Sequence, residues 1–145
     1  MIDKIKEQFE LTGDDPSQYS PLALAFIGDA VYGMVVKSVV VLSGNCPADK
    51  MNSKAVKYVK AVSQSEAADY IVDNGLLKEE ELAIYKRGRN AKSPTSAKNA
   101  PVGDYRKATG LEALIGWLYL RGETERVLEL MKIAMRQWVR ENRPH

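Results

Sequence analysis

Cysteine is almost absent from this sequence of 145 residues, and the one that occurs, Cys46, excludes an internal disulfide and any zinc site built from several cysteines. Internal repeats, low-complexity linkers and shifts in composition are also missing, so we predict a single domain over residues 1–145. The N-terminus carries charges of both signs and lacks the apolar core of a secretion signal, which predicts a cytoplasmic protein.

An unbroken hydrophobic run long enough for a membrane is missing too. The most apolar segment, residues 21–42, is interrupted by Asp29 and Lys37, and each charge would cost about 3 kcal/mol at the centre of a bilayer. We therefore expect a buried core helix here and no membrane partner. The formal net charge is only +2, so overall charge alone gives weak support for a polyanionic partner.

Strict alternation of polar and apolar residues persists nowhere, whereas helical periodicity runs through most of the chain. Residues 20–41 and 108–120 are apolar on nearly all sides, which predicts two central helices packed by neighbours all round. Amphipathic helices are predicted over 48–74, 78–90 and 124–141, and the first of them would turn these side chains inward: Val56, Val59, Ala67, Tyr70 and Ile71. The expected fold is an all-α bundle, with VVKSVVVL as the one place where a strand is an alternative.

Each of the two central segments contains an apolar stretch in which a carboxylate is the one charged residue. Asp29 lies in PLALAFIGDAVYGMVV and Glu112 lies in ATGLEALIGWLYL. A carboxylate removed from water costs several kcal/mol, roughly, unless a cation or hydrogen bonds compensate it. One metal ion would compensate both, and small residues one helical turn away leave room for it: Ala25, Gly33, Ala108 and Gly116. The alternative is that each acid caps a backbone group or pairs with a buried Lys or Arg.

A block of positive charge separates the two carboxylate segments. No acidic residue occurs between Glu81 and Asp104, whereas KRGRNAKSPTSAKN contains five cations and several small polar residues. The side chains predicted to contact a phosphate backbone are Lys86, Arg87, Arg89, Asn90, Lys92 and Lys98. A solvated face is the alternative for such a run, and it applies more strongly to the lysine stripe Lys50, Lys54, Lys57 and Lys60.

Aromatic residues that would stack on unpaired bases are scarce in these basic segments, where Tyr58 and Tyr85 are the candidates. Recognition of a double-stranded nucleic acid by its shape and charge is therefore favoured over binding of single strands. Such binding should show little sequence specificity. It should also weaken as salt rises, because counterions are released from the phosphates.

Two motifs resemble those of the ribonuclease III family. LALAFIGDAVYGMVV, with IGDAV at its centre, is similar to the signature helix of these enzymes, and GLEALIGWLYLRG is similar to their second carboxylate helix. The basic interval before the second motif resembles the compact subfamily called Mini-ribonuclease III, which has a catalytic domain and no double-stranded-RNA-binding domain. The resemblance spans most of the chain and implies an all-helical, ribonuclease III-like endonuclease domain.

The resemblance also implies an activity. The expected protein is a magnesium-dependent homodimer that cleaves double-stranded RNA and matures precursor 23S ribosomal RNA, leaving 5′-phosphate and 3′-hydroxyl ends. Asp29 and Glu112 match the acids of the two motifs, so they are the predicted catalytic residues and Mg²⁺ ligands. The basic block would hold the RNA backbone, and a ribosomal protein that presents the substrate would help so small a domain to select its site.

The sequence departs from the larger enzymes at two positions. In those enzymes two more acids lie four residues before the aspartate and three before the glutamate, where this chain has Ala25 and Thr109. Magnesium keeps several waters in proteins, so two carboxylates and a substrate phosphate can suffice. Thr109 would either orient a water molecule or simply pack. The rival functions are a catalytically inactive RNA-binding or ribosome-associated module, which the missing acids favour, and a structural helical adaptor.

Overall fold

The structure, a computed structural model, describes residues 1–92 and 102–142. Every α or β element within these residues is a helix, which confirms the all-α class, and a short 3-10 helix lies at Pro16–Gln18. The helices, in chain order, are α1 (Ile2–Gln8), α2 (Pro21–Leu42), α3 (Ala48–Val59), α4 (Ala61–Asp73), α5 (Glu79–Asn90), α6 (Val102–Leu120), α7 (Thr124–Ala134) and α8 (Arg136–Glu141).

Helix α2 begins where local chemistry favours a helix start. The Ser20 hydroxyl accepts a hydrogen bond from the Ala23 amide at 3.1 Å, and Pro21 occupies the first helical position. The helix continues through VVKSVVVL, so the strand alternative is wrong there. By length and apolar composition α2 would suffice to cross a membrane, a criterion that core helices of globular proteins also meet. Its packing against α6 accounts for the apolar residues on one of its faces.

Helix α6 forms the centre of the bundle, packed by α2, α4 and α5. Every residue from 108 to 118 is buried except Glu112, as expected for a central helix. Glycines bring two of these neighbours into backbone contact with it. A Cβ atom at Gly28 would overlap the Glu112 carbonyl oxygen, and one at Gly116 would overlap the Leu24 carbonyl oxygen. Gly88 of α5 packs in the same way against Gly110, so the core is held at the shortest helix separations that a backbone allows.

Helix α2, unlike α6, is not covered on all sides, which corrects the prediction of two equally buried helices. One face packs against the bundle through Leu24, Val31, Tyr32 and Val36. The opposite face leaves large apolar side chains in the open, with Phe26 81% exposed. The prediction failed because an apolar residue on a helix can face either the core of its own chain or another surface, and the sequence pattern is the same in both cases.

Two predicted long helices are each divided in the structure. The segment 48–74 breaks at Lys60, whose ψ of 152° is extended, and 124–141 breaks at Met135. Because each break resets the helical phase, one apolar stripe cannot serve both halves. Ala67 and Ile71 are buried as predicted, whereas Val56 and Tyr70 are 44% and 42% exposed, which contradicts the inward positions predicted for them.

Candidate active site

The crossing of α2 and α6 brings the two predicted acids together. Asp29 follows Gly28, which packs directly on the backbone of Glu112. The carboxyl groups of Asp29 and Glu112 share a hydrogen bond. Residues far apart in the sequence therefore form one pair at the closest approach of the two most apolar helices.

Glu112 holds a proton at neutral pH, because its pKa is raised. Burial, the hydrogen bond with Asp29 and the negative charge of Asp29 together raise the pKa of Glu112 to about 8, while hydrogen bonding from Gln64 acts in the opposite direction. A carboxyl with such a pKa stays protonated until a positive charge arrives. A cation that bound the pair would therefore have to displace this proton.

A fully buried glutamate, Glu81, shows what a structural carboxylate looks like in this fold. It is 3% exposed, and the Arg126 guanidinium donates to both of its oxygens at 2.8 and 2.9 Å. Burial alone would raise the pKa of Glu81, but the hydrogen bonds from Arg126 and the Lys78 amide hold it below its ordinary value. Within residues 1–92 and 102–142, neither Asp29 nor Glu112 has any such Lys, Arg or backbone donor. The capping and ion-pair alternatives are thus not what the described structure contains.

Two further side chains, which the sequence analysis missed, complete the surroundings of the pair. Tyr32 is buried one turn after Asp29, and its burial together with the charge of Glu112 raises the pKa of its hydroxyl. Gln64 of α4 is 3% exposed, and its Nε2 donates to the Val59 carbonyl at 3.0 Å. A signal for Gln64 was available, because it precedes buried Ala67, Ala68 and Ile71 at helical spacing and so had to face inward.

The donor set fits a divalent metal ion held by oxygen atoms. It comprises two carboxyl groups without a cation and the Gln64 side-chain oxygen, which is buried and has no hydrogen-bond partner. Oxygen ligands of this kind suit magnesium, which needs few of them from the protein. No cluster of three or more His, Cys, Asp or Glu side chains suitable for a metal occurs in the described part of the chain. Any ion here would therefore rely on two acids and neutral or water ligands.

The sequence predicted that the small residues near the pair leave room for an ion, and this is not true of all of them. The space beside Gly116 is filled by the α2 backbone, whereas the space beside Gly33 is open to 4 Å. Thr109 is buried, and its hydroxyl donates to the Tyr105 carbonyl at 2.9 Å, the bond that threonines often make within helices. This bond is the one expected if Thr109 simply packs within the helix, rather than orienting a water molecule.

The predicted basic residues are divided between two uses in the structure. Lys86 and Lys92 are exposed and form no ion pair with the described residues. Arg87 instead donates to the Ser17 and Tyr19 carbonyls at 3.3 and 3.4 Å, tying α5 to the segment before α2. Arg89 donates to Asn90 Oδ1 at 3.2 Å and lies 5.8 Å from the Tyr85 ring centroid. Lys98 lies outside the described residues.

Comparison with known proteins identifies relatives over most of the chain. A Ribonuclease III domain matches residues 22–123, an interval that contains both carboxylates and the basic block. A Mini-ribonuclease 3 of Thermoanaerobacter sp. (strain X514) is 46% identical over 86% of this chain and 87% of its own. A Mini-ribonuclease 3 of Clostridium tetani is 45% identical over 87% of this chain and 83% of its own. A Mini-ribonuclease 3 of Staphylococcus aureus is 43% identical over 77% of this chain and 84% of its own. The crystal structure of a Fusobacterium nucleatum protein, 31% identical, superposes with a TM-score of 0.76 over 86% of this chain and 98% of that one.

Proposed function

This chain belongs to the ribonuclease III family, in its Mini-ribonuclease 3 group, and we propose that Asp29 and Glu112 hold the magnesium ion with which it cleaves RNA duplexes. It is an endoribonuclease, and the family acts on double-stranded RNA with divalent metal ions, usually as a dimer. The observation that supports the metal site is the contact of two carboxyl groups, without a cation, between the two most apolar helices.

The roles of the two acids follow from their surroundings. A bound magnesium ion supplies the charge that activates water and stabilises the phosphoryl oxygens and the departing 3′-oxygen. Asp29 and Glu112 must both be ionised to hold it, so Glu112 gives up its proton on binding. Asp29 is exposed and Glu112 is half-buried, so the pair is open to solvent on one side, while buried apolar residues of α2 and α6 pack behind it. Products with 5′-phosphate and 3′-hydroxyl ends belong to this proposal.

Two basic surfaces support contact with an RNA backbone. Lys86 and Lys92 at the end of α5 have charges that are free of the described acids. Lys57, Arg136 and Arg140 line a polar pocket of about 240 Å³ between α3 and α8. We propose that these cations bind phosphates, while Arg87 serves the fold.

The natural setting of the enzyme is proposed from the resemblance. Precursor 23S ribosomal RNA is the proposed substrate, in the cytoplasm, with one catalytic domain over residues 1–145. The five cations proposed above to bind phosphates support a modest affinity for RNA. A ribosomal protein that presents the substrate is proposed because modest affinity alone does not select one site in a long RNA.

The proposal is tested by removing and restoring the metal. The purified chain should cut a long RNA duplex in Mg²⁺, lose cleavage entirely in a chelator, and recover it when Mg²⁺ returns. An exonuclease that requires a 5′-phosphate should then degrade the products. A duplex that the chain binds in Mg²⁺ but leaves intact would contradict the proposal and favour the inactive RNA-binding alternative.

The proton on Glu112 should make metal binding depend on pH. Since the pKa of Glu112 is about 8, a metal ion must displace this proton at any lower pH. We expect the affinity for Mg²⁺ to rise by roughly tenfold per pH unit between about pH 6 and 7.5 and to level off above pH 8. The measurement is the Mg²⁺ concentration that gives half-maximal cleavage across this range. A concentration that stays constant with pH would contradict the raised pKa of Glu112.

We propose the exposed face of α2 as the dimer interface. Phe26 is 81% exposed, and Met34 and Val41 follow it along the same side at 44% and 52%. Beside them Val35 and Val39 line an apolar groove of about 600 Å³ that α7 and α8 complete. Contiguous apolar surface of this kind marks an interaction site. A second copy covering it would lie close to Asp29, because Asp29 is one turn from Phe26.

A charge at Phe26 should separate the proposed dimer. Phe26→Glu would place a carboxylate against the partner's apolar face, so we expect a monomer near 16 kDa where the parent gives twice that mass. Light scattering after size exclusion measures this directly. Phe9→Glu is the matched control, since Phe9 is 72% exposed beyond the end of α1. A Phe26→Glu variant that remains dimeric would place the interface elsewhere.

A further inference from the structure

The side chain of Gln64 is only half satisfied. Among the described residues its Oε1 is the one buried side-chain nitrogen or oxygen atom without a hydrogen-bond partner. Leaving such an atom unpaired costs about 1–3 kcal/mol, and buried groups left unpaired in native proteins usually serve a purpose. The unpaired atom of Gln64 therefore needs an explanation beyond packing.

The orientation of the amide is set by its neighbours. The Val59 carbonyl can only accept a hydrogen bond, so Nε2 must face it and Oε1 must point elsewhere. The Gln64 side chain also lies close enough to the Glu112 carboxyl to lower its pKa. Because an amide oxygen lies only about 2.3 Å from its own nitrogen, Oε1 is in the immediate surroundings of the carboxylate pair.

We propose that Gln64 Oε1 is the third protein ligand of the divalent metal ion held by Asp29 and Glu112. An amide oxygen is a hard, neutral ligand of the type that magnesium and similar ions accept. A neutral ligand suits this place, because a third negative charge beside two close carboxyl groups would add repulsion before the ion binds. The inference rests on the proposed function, since it needs the metal that the two acids hold.

The third ligand comes from a helix other than the two that carry the acids. The positions where larger relatives have further acids, Ala25 and Thr109, hold a methyl group and a hydroxyl that donates to a backbone carbonyl. Helix α4 packs against α6, as α2 does. With Gln64 as a ligand, the ion would be bound by side chains from three helices, α2, α4 and α6. A purely structural role explains its Nε2, which binds the last carbonyl of α3, but leaves Oε1 without a reason.

The test measures metal binding in the absence of RNA. Free Mn²⁺ is counted by electron paramagnetic resonance as it is added to the parent and to variants at pH 8.5. Gln64→Met keeps the length of the side chain but removes its oxygen, and we expect it to weaken Mn²⁺ binding by at least about tenfold. The matched control is Ser65→Ala, which removes another buried polar group from α4, one that bonds Asp104 at 2.7 Å, and should leave the affinity unchanged.

A second variant separates the oxygen from the fold. Gln64→Glu keeps an oxygen at the site and loses the amide donor, so it should bind Mn²⁺ at least as tightly as the parent. If Gln64→Met does not fold, as judged by thermal unfolding without metal, Gln64→Glu decides the matter. Loss of binding in Gln64→Glu would show that the amide donor matters, and would overturn the assignment.

Asp29→Asn distinguishes failure of this inference from failure of the proposed function. Mn²⁺ binding that Asp29→Asn abolishes and Gln64→Met leaves intact would overturn the role of Gln64 alone. Binding that is missing in the parent, or indifferent to Asp29→Asn, would overturn the metal site itself. Weakening by both variants, with Ser65→Ala unchanged, is the result that supports three ligands.

Discussion

Replacing Asp29 by Asn is expected to reduce cleavage of an RNA duplex by a factor on the order of 10³ while the chain stays folded. The amide has nearly the same shape as the carboxyl group but lacks the charge that holds the metal. Glu112→Gln should have the same effect on cleavage, since Glu112 is the other member of the pair. Initial rates at saturating Mg²⁺ measure the loss, and circular dichroism checks the helical content. The matched control is Asp49→Asn, in the exposed first turn of α3, which should cleave like the parent.

Glu112→Gln has a second consequence that a mere loss of fold would not produce. The pKa of Glu112 is raised from 4.5 to about 8 in the folded chain, so the folded state binds more protons than the unfolded state between these values. The stability of the metal-free parent therefore falls as pH rises through this range. Glutamine has no such dependence, and at pH 9 the variant should unfold roughly 3–6 °C above the parent.

Two results from these variants would contradict the proposed role of the carboxylate pair. A folded Asp29→Asn or Glu112→Gln variant that cleaves at the parental rate would remove that acid from the site. A Glu112→Gln variant whose thermal midpoint moves equally at pH 5 and pH 9 would show that the proton on Glu112 is not held as described. The two measurements are independent, because one needs bound metal and the other is made without it.

The second large effect is expected from a single methyl group at the crossing of α2 and α6. Gly28→Ala would place its Cβ on the Glu112 carbonyl oxygen, and Gly116→Ala would place one on the Leu24 carbonyl oxygen. Backbone cannot rotate out of the way as a side chain can, so the helices must separate. We expect each variant to lose at least about 3 kcal/mol of the free energy of unfolding, the upper range for overpacked cores.

Separation of the helices should also damage the site. Asp29 follows Gly28 directly, so any shift at the crossing moves the two carboxyl groups apart. We expect a thermal midpoint lowered by roughly 6–12 °C, and weaker Mn²⁺ binding at temperatures where the variant is still folded. Gly103→Ala is the control on α6, because nothing lies within 4 Å of the Cβ it would add. Parental stability in Gly28→Ala would mean that the helices do not meet as closely as described.

Much of the candidate site was accessible from the sequence because its strongest signals are local. A lone acid in an apolar helix is visible without coordinates, and Asp29 and Glu112 were identified in this way. The basic block was equally visible, but its use was not. Arg87 binds backbone carbonyls of a segment about 70 residues away, a contact that no spacing within the block predicts.

The wrong predictions about the fold also arose because contacts between distant residues are not visible in the local sequence. Lys60 divides a segment whose amphipathic pattern looks continuous, because its extended backbone ends α3 and starts α4 in a new helical phase. Val56 and Tyr70 were predicted to face inward on the assumption of one continuous apolar stripe, and the break at Lys60 interrupts that stripe. Gln64 was missed because a polar residue on an inward face is informative only once its neighbours across the bundle are known.

The sequence by itself determined the helical class, the two apolar helices, the identity of the acids and the family, since composition, periodicity and motifs act over one or two turns. Tertiary structure alone decided that Gly28 and Gly116 let those helices touch, that burial and Asp29 raise the pKa of Glu112, and that Gln64 stands beside them with an unpaired oxygen. The exposed face of α2 was decided there as well. The physical reason is that pKa values, buried unpaired atoms and open faces depend on distances through space, which the order of residues along the chain does not specify.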